Sequence, residues 1–291
     1  MATSTKNVKL GVCKIFFDSV DLGLTQGGVE VTVTTETHRV EVDQFGKTAI
    51  NETIMGRALS VKAPLAETTL RNMVATMPGA SLVSDGASAL GGVTFTADPI
   101  ATNVVTLAGQ AFTFQATKPS AIGQVQVGAN RAASIQNLIY AINLAGLRQD
   151  LGGIRASLNT QGTGIKLEVI DPGTAGNAIT LAVTGATMTA SGATFTGGLN
   201  ETRARVEVTS GVGVDLLSIA KPLRLHPSGK ADNDFSDDFY VYQAATPGAL
   251  TYAYKIDAER VYNIEFTGYP DPVTGKLFAA GDLLALSLIH I

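Results

Sequence analysis

Alternating apolar and polar residues predict β-strands in two separated parts of the chain. In residues 28–34, three valines occupy every second position, and Glu30, Thr32 and Thr34 stand between them. This period of two turns one set of side chains toward a core and the other toward water. The same signal predicts strands at residues 8–17, 50–61, 203–208, 239–243, 250–256, 260–267 and 283–289.

A run of polar residues interrupts this period directly after residue 34. Residues 35–39 are all polar, and alternation restarts at Val40 and Val42, before a turn-forming run at residues 43–46. We therefore predict that residues 35–43 leave the sheet as a polar excursion.

Apolar side chains at three- and four-residue spacing predict a helix over residues 64–77. Pro64 suits a first helical turn, and Pro78 with Gly79 cannot continue the helix. The predicted buried face consists of Ala66, Leu70, Met73, Val74 and Met77. We expect this helix to pack across a β framework built from both ends of the chain, with the other elements arranged around it.

The composition changes sharply between residues 86 and 200. This stretch holds 9 of the 46 charged residues of the chain but 17 of its 31 glycines. Alternation of the framework type returns at residue 203. We therefore predict two domains: residues 1–84 together with 201–291 form one discontinuous domain, and residues 85–200 form a separate domain inserted into it.

The inserted segment has the pattern of a small α+β domain. Its clearest element is a helix that Asn130 can cap and Gly146 can end. The predicted buried stripe of this helix is Ile135, Leu138, Ile139 and Ile142. Strands are predicted at residues 93–96, 104–107, 111–116, 154–158, 165–170 and 179–183.

Charge and cysteine content exclude several classes of protein. The formal net charge is −4, and no cluster of Lys and Arg provides the phosphate affinity that a nucleic-acid-binding protein needs. The single Cys13 forms neither an intramolecular disulfide nor a cysteine zinc site. We find neither a secretory signal nor a run of about 20 apolar residues, so we expect no membrane association.

No pattern of catalytic residues stands out, and we expect no enzyme activity and no cofactor. The three histidines, His38, His226 and His290, are scattered, and none has metal-ligand spacing. The nucleophile elbow, the P-loop and the dinucleotide-binding glycine motif are all missing from the sequence.

One acidic loop offers oxygen atoms of the kind that calcium prefers. Its carboxylates are Asp232, Asp234, Asp237 and Asp238. Counted from Asp232, however, the sixth position of an EF-hand loop is Asp237 instead of Gly, and the twelfth is Gln243 instead of Glu. We therefore expect no metal, and leave two interpretations: a solvated turn, or a negative wall that faces another polyanion.

Five short motifs stand out in the framework: residues 40–46 (VEVDQFG), 65–70 (LAETTL), 252–261 (YAYKIDAERV), 266–271 (FTGYPD) and the pair 281–282 (GD). In these motifs and their order, the framework resembles the tail tube proteins, or major tail proteins, of tailed bacteriophages. The residues that match the family motifs are Gln44, Gly46, Leu65, Glu67, Leu70, Asp271, Gly281 and Asp282. The inserted segment is similar to the Gly- and Thr-rich domains that decorate phage tail proteins.

The resemblance implies a mainly β protein with a rolled β-sandwich or barrel of the tail-tube fold and one flanking α-helix. Six copies would join sheet edges into a ring, and stacked rings would form the tube through which DNA is ejected. Contacts between rings would then come from the polar excursion, with Glu36, His38, Arg39, Glu41 and Asp43 as candidates. The inserted domain would project outward, because an insertion into the lumen would block it.

The resemblance also implies the partners and the location. The chain would assemble with itself, and with tape measure, tail terminator and baseplate proteins; whether a sheath surrounds the tube stays open. DNA would pass through without specific binding. The protein would be assembled in the cytoplasm of the host bacterium and would end in the virion.

Two alternatives remain at this point. The chain could be another tail structural protein, such as a sheath or baseplate component, or a carbohydrate-binding or adhesive module. For the inserted domain, passive decoration and weak glycan binding are both open.

Overall fold

A computed structural model describes residues 11–18, 20–147, 151, 153–251, 254–257 and 259–283. Strands hold 43% of the residues and helices 12%, so the protein is mainly β. The two helices of the described part are α1 (Leu70–Thr76) and α2 (Arg131–Leu147). Neither has the length and apolar character that spanning a membrane requires.

Eighteen strands form four sheets within these residues. The strands are β1 (Cys13–Phe17), β2 (Val20–Asp21), β3 (Glu30–Glu41), β4 (Ala49–Leu65), β5 (Ala80–Ser84), β6 (Leu90–Phe95), β7 (Val104–Leu107), β8 (Gln110–Gln115), β9 (Gln124–Gln126), β10 (Ile154–Leu158), β11 (Gly164–Val169), β12 (Leu181–Thr184), β13 (Met188–Ala190), β14 (Ala204–Val208), β15 (Lys221–Pro227), β16 (Phe239–Ala245), β17 (Tyr262–Tyr269) and β18 (Phe278–Ala280).

The main sheet combines strands from both ends of the chain. Its order is β2-β1-β15-β16-β17-β4-β3, with β18 paired to β16 beside β17, and all of its pairs are antiparallel. Leu65 of β4 lies opposite Tyr262 of β17, and Phe17 of β1 lies opposite Leu223 of β15. One face of this sheet carries a buried apolar cluster that includes Ile15, Leu59, Val61, Leu223, Val241, Ile264 and Phe266.

A second apolar cluster contains only residues between Ala89 and Phe195. Two four-stranded sheets, β10-β11-β6-β13 and β12-β7-β8-β9, enclose it together with α2. The Asn130 side chain accepts a hydrogen bond from the Ala133 N–H at 2.9 Å and caps α2, as predicted. Of the predicted stripe, Ile135, Leu138 and Ile142 are fully buried, and Ile139 is partly buried. Gly146, however, lies inside the helix and does not end it.

The strand predictions differ in how well they match the structure. The predictions at residues 104–107 and 154–158 match β7 and β10, and most of the others are shifted by one to five residues. The prediction at residues 250–256 is wrong for the described residues there, none of which is in a strand. Residues 8–10 and 284–289 of the two terminal predictions lie outside the described residues.

The helix prediction at residues 64–77 places the start of the helix wrongly. Pro64 and Leu65 belong to β4, opposite β17. On the other side of β4, strand β3 reaches only to the position opposite Lys62, so a residue without an N–H is tolerated at Pro64. The Thr69 side chain accepts a hydrogen bond from the Asn72 N–H at 3.1 Å and caps α1.

The buried face of α1 also differs from the prediction. Asn72 and Thr76 are buried, whereas Leu70 is 40% exposed. The Asn72 Nδ2 donates to the carbonyl oxygens of Leu22 at 2.8 Å and Glu67 at 2.9 Å, and the Thr76 hydroxyl donates to the Asn72 carbonyl at 2.6 Å. Burial of these polar groups is tolerated because their hydrogen bonds are satisfied.

The chain enters and leaves the inserted segment through two stretches that lie side by side. Strands β5 and β14 pair antiparallel, and next to them Ala87 forms a bridge with Leu199. The Asp85 carboxylate accepts hydrogen bonds from the Thr202 hydroxyl, the Thr202 N–H at 2.8 Å and the Arg203 N–H at 2.9 Å. Asp85 therefore holds the outgoing and returning chains together.

Candidate assembly surface

A long β-hairpin extends from the main sheet. Strand β17 supports β4 only from Leu59 to Leu65, so the rest of β4 and the facing part of β3 pair only with each other. We call residues 34–58 the arm. Ten residues of β4, from Ala49 to Ala58, lie beyond the supported part. At about 3.3 Å per residue, the arm is roughly 30 Å long.

The polar excursion predicted at residues 35–43 is therefore a continuous strand as far as Glu41. Two register shifts, at Glu36/Thr37 and at Val40/Glu41, interrupt its pairing with β4. Threonine is a good strand former, so the backbone stays extended although neither face has an apolar period.

The tip of the arm is a tight turn. Residues Asp43–Phe45 form one 3-10 turn, and Gly46 follows it with a φ of 63°. A positive φ is costly for residues with a Cβ, so the turn requires glycine at this position. The Phe45 side chain is 65% exposed at the tip.

Apolar side chains are exposed along the arm. Every residue of β4 from Ala49 to Ala58 is exposed, including Ile50, Ile54 and Met55, whose exposed fractions lie between 52% and 69%. The outer edge of β3 has no strand beside it within the described chain. Beyond the reach of β17, β4 is an open edge as well, and an open strand edge beside exposed apolar side chains is a template for pairing with another chain.

The structure brings all five predicted ring-contact residues together on the arm. Glu36, His38, Arg39 and Glu41 lie on β3, and Asp43 lies at the tip. Glu36 and His38 are two positions apart and share one face of the strand, and Arg39 and Glu41 share the other.

Cross-strand contacts hold this part of the arm. The Thr37 hydroxyl donates to Glu52 Oε1 at 2.6 Å, and Arg39 Nε lies 3.8 Å from the same oxygen. These groups are exposed, so the interactions orient the side chains more than they stabilise the arm.

The other residues of the first part of the chain that match the family motifs lie at the tip of the arm, in the main core and around the start of α1. Gln44 and Gly46 lie at the tip of the arm, and Leu65 is fully buried in the main core. Glu67 Oε1 accepts a hydrogen bond from the Leu24 N–H at 3.0 Å. Leu70 is the first residue of α1.

The motif residues near the last described strand also organise turns. Asp271 accepts hydrogen bonds from the N–H groups of Thr274 at 2.6 Å and Val273 at 3.1 Å, and these bonds lower the pKa of its carboxyl. The Gly281 N–H donates to the Asp238 carbonyl at 2.7 Å, and Asp282 follows it in the chain.

The acidic loop directs its carboxylates at lysines of the protein. Asp232 lies 2.6 Å from the Lys14 ammonium group, and the hydrogen bond between them lowers the pKa of Asp232. Asp234 and Asp237 lie 3.0 Å and 3.3 Å from the Lys230 ammonium group. Among the described residues, no three His, Cys, Asp or Glu side chains are placed to hold a metal ion.

Asp238, the fourth acidic residue, belongs to a buried charged cluster that the sequence analysis missed. Its carboxylate lies 3.2 Å from Arg224 Nη1 and 2.7 Å from His226 Nδ1, and all three side chains are almost fully buried. The Arg224 guanidinium also lies 4.1 Å from the centre of the Phe16 ring. The sequence contains an indication of this cluster, because Arg224 and His226 alternate with leucines in a strand that has both faces covered.

Among the described residues, the arm thus combines an open strand edge with exposed apolar side chains. Comparison with protein-family models and with curated protein sequences finds no match to the chain.

Proposed function

We propose that the chain is a structural virion protein, the subunit of a bacteriophage tail tube, which forms stacked hexameric rings that conduct DNA during ejection. The observation that carries this proposal is the arm, a hairpin about 30 Å long whose two strands pair only with each other among the described residues. The proposal also rests on the family resemblance of the sequence motifs.

The arm supports assembly on physical grounds. An isolated two-stranded hairpin is at best marginally stable in water. A neighbour that covers Ile50, Ile54 and Met55 and pairs with the open edge of β3 would stabilise it. A contact between two different surfaces of identical subunits closes into a ring or continues as a helix, and a tail tube contains both arrangements.

The finer fold is part of the same proposal. The main sheet, together with the β5–β14 ladder, would form the rolled sandwich of the tail-tube fold, with α1 as its flanking helix. The separate apolar cluster of residues 89–195 and the paired chain crossings support an inserted domain at residues 85–200. We place this domain on the outside of the tube.

The proposal also includes the partners of the protein and its location. Tape measure, tail terminator and baseplate proteins would contact the ends or the lumen of the tube, and DNA would pass without specific binding. The net charge of −4 is consistent with a conduit that does not retain DNA. Assembly would take place in the cytoplasm of the host bacterium.

The proposal is tested by the assembly state of the purified protein. Size-exclusion chromatography and negative-stain electron microscopy should show rings or tubes. In a variant without the arm, Asn-Gly replaces residues 35–57 and joins Thr34 to Ala58, which lie opposite each other. This variant should stay folded and monomeric.

A control separates loss of the arm from loss of exposed apolar surface in general. Val273 is 90% exposed in a turn outside the arm, and Val273→Ser should assemble like the wild type. A wild-type protein that stays monomeric at high concentration, or an armless variant that still forms rings, would refute the proposal. Tubes whose subunits lie far from the axis in reconstructed virions would favour a sheath or baseplate component instead.

One observation favours a second function, carbohydrate binding by the inserted segment. A cleft of about 290 Å³ lies between α2 and β9, beside Tyr140, which is 67% exposed. Gln126 and Asn137 line it with amide groups, and an exposed aromatic ring next to amides suits the apolar and hydroxyl faces of a sugar. Glycan-array binding that Tyr140→Ala abolishes would support this function, and an array without binding would argue against it.

A further inference from the structure

A cavity of about 390 Å³ opens where the main sheet, α1 and the inserted segment meet. Its apolar lining includes Val74, Met77, Leu82, Ile170 and Ile219. We call it the junction pocket. A dry cavity of about 150 Å³ is enough to hold a benzene ring, so this pocket is large enough for a phenyl side chain.

Among the described residues that line this pocket, one cation, Lys221, has no ion pair. Arg71 and Arg155 also line it, but Arg71 is paired with Glu201 at 3.1 Å, and Arg155 is paired with Asp18 at 2.5 Å. Lys221 is exposed and has no ion pair among the described residues. The junction pocket therefore suits an apolar group that carries a neighbouring negative charge.

The tip of the arm has this combination of groups. Phe45 is 65% exposed, and Asp43, two positions earlier, is exposed within the same turn. Neither side chain has a hydrogen bond or ion pair to the rest of the described chain. Both surfaces are thus uncovered in one copy, and they are complementary in polarity and in charge.

The arm of the same copy does not reach its own pocket. Lys221 lies opposite Ala244, Ala244 opposite Gly268, and Gly268 opposite Leu59, so Lys221 stands in the row of the sheet from which the arm departs. The tip lies about 30 Å beyond that row. A second copy must supply the side chain that fills the pocket.

We infer that the junction pocket of one subunit receives the arm tip of a neighbouring subunit, with Phe45 in the apolar cavity and Asp43 beside Lys221. This inference rests on the proposed function and specifies which surface of the neighbour the arm contacts. Because the inserted segment contributes Ile170 to the pocket, the contact also fixes that segment against the neighbour.

The first test measures the association of the full chain by sedimentation velocity and counts assemblies by negative-stain microscopy. Phe45→Ala should weaken association by about thirtyfold or more, as is typical when a central anchor is truncated. Ile100 is 61% exposed on a turn of the inserted segment, and Ile100→Ala should have no effect. Circular dichroism should show that both variants are folded.

The second test exchanges the charges. Lys221→Glu and Asp43→Lys should each weaken association, and the double variant should recover most of it, because the attraction is restored with opposite signs. Lys255 is exposed and serves as the matched control, since Lys255→Glu should assemble like the wild type.

A third test detects the contact directly. In a Cys13→Ser background, Phe45→Cys combined with Ile219→Cys should form disulfide-linked ladders under oxidation, whereas Phe45→Cys combined with Val273→Cys should not. If wild-type rings form but both Phe45→Ala and Lys221→Glu assemble normally, the inference is wrong and the proposed function stands. If the wild type forms no assemblies and no ladders appear, both are wrong.

Discussion

At the scale of single residues, the buried charged cluster of the main sheet is a site where each side chain needs its partners. Arg224, His226 and Asp238 are almost fully buried, and Asp238 is the partner that both bases share. Removing one member of a buried charged pair leaves the other charge without compensation. The cluster therefore ties the acidic loop to β15.

We predict that Asp238→Asn lowers the free energy of unfolding by about 3–5 kcal/mol, the usual cost of breaking a buried ion pair. Urea unfolding followed by circular dichroism, on dispersed subunits, measures this. Asp232→Asn removes only an exposed ion pair with Lys14 and should lower the urea midpoint far less. Equal midpoints for the two variants would contradict the prediction.

A second residue-scale prediction concerns Asp85. Hydrogen bonds from the Thr202 side chain and from the backbone of Arg203 and Thr202 lower the pKa of Asp85 to about 2. A carboxyl whose folded-state pKa lies below its unfolded value stabilises the fold above the unfolded pKa, near 4. This contribution is lost as the pH falls from about 4 to about 2.

The Thr202 and Arg203 N–H groups should therefore lose hydrogen-exchange protection, after correction for intrinsic rates, between pH 4 and pH 2. Asp85→Asn should remove this pH dependence, whereas Asp98→Asn, at an exposed position, should leave it unchanged. Protection that stays constant across this range in the wild type would show that Asp85 does not hold the crossing.

At the scale of elements, the arm is the least supported part of the main sheet. Strand β17 contacts β4 only from Leu59 onward, and both faces of the arm are exposed. Segments with few buried contacts open locally at a lower free energy than the core of a sheet.

We predict that the N–H groups of the arm exchange at least about tenfold faster than those of β17 in dispersed subunits. In assemblies, the arm should become protected, since a neighbour would cover it. Hydrogen exchange read by mass spectrometry tests both statements on one sample before and after assembly. An arm that is equally protected in both states would contradict this view of its role.

Elements with a continuous apolar period could be predicted from sequence. Helix α2 has a cap at Asn130 and an apolar stripe, so its sequence signals and its packing in the structure indicate the same helix. For α1, the apolar spacing in the sequence does not indicate the buried face. That face consists of Asn72 and Thr76, whose burial depends on hydrogen-bond partners that are distant in sequence. The short strand β5 was missed because its partner, β14, lies beyond the whole inserted segment.

The candidate surface was only partly accessible to sequence reasoning. The interrupted period at residues 35–43 marked the arm, although it did not show that the strand continues. The junction pocket could not be foreseen, since its lining comes from segments as distant as Val74, Ile170 and Lys221, which only the tertiary structure brings together.

At the scale of the whole molecule, a few polar contacts join the inserted segment to the rest. Arg71 of α1 lies 3.4 Å from Asp171, and Arg155 pairs with Asp18. Leu144 of α2 lines a small cavity together with Tyr240 of the main sheet. The apolar cores themselves share no residue.

We predict that deleting residues 86–200 leaves a folded protein. The deletion joins Asp85 to Glu201 and turns β5 and β14 into a hairpin with a short loop. Because the arm and most of the lining of the junction pocket remain, rings should still form, with a smaller outer diameter in negative stain. Association should be weaker, since the deletion removes Ile170 from the pocket. Insoluble protein, or soluble protein without rings, would show that the segment is needed for the fold or for association.

The composition of the main sheet from both ends of the chain has a consequence for biosynthesis. Leu65 pairs with Tyr262, 197 positions later, so β4 leaves the ribosome long before its inner partner exists. The second apolar cluster lies between Ala89 and Phe195, so all of its described residues are synthesised during this interval. Until translation reaches β17, both edges of the β3–β4 hairpin are open to other nascent chains, and the time spent in this state increases with the length of whatever is inserted at residue 85.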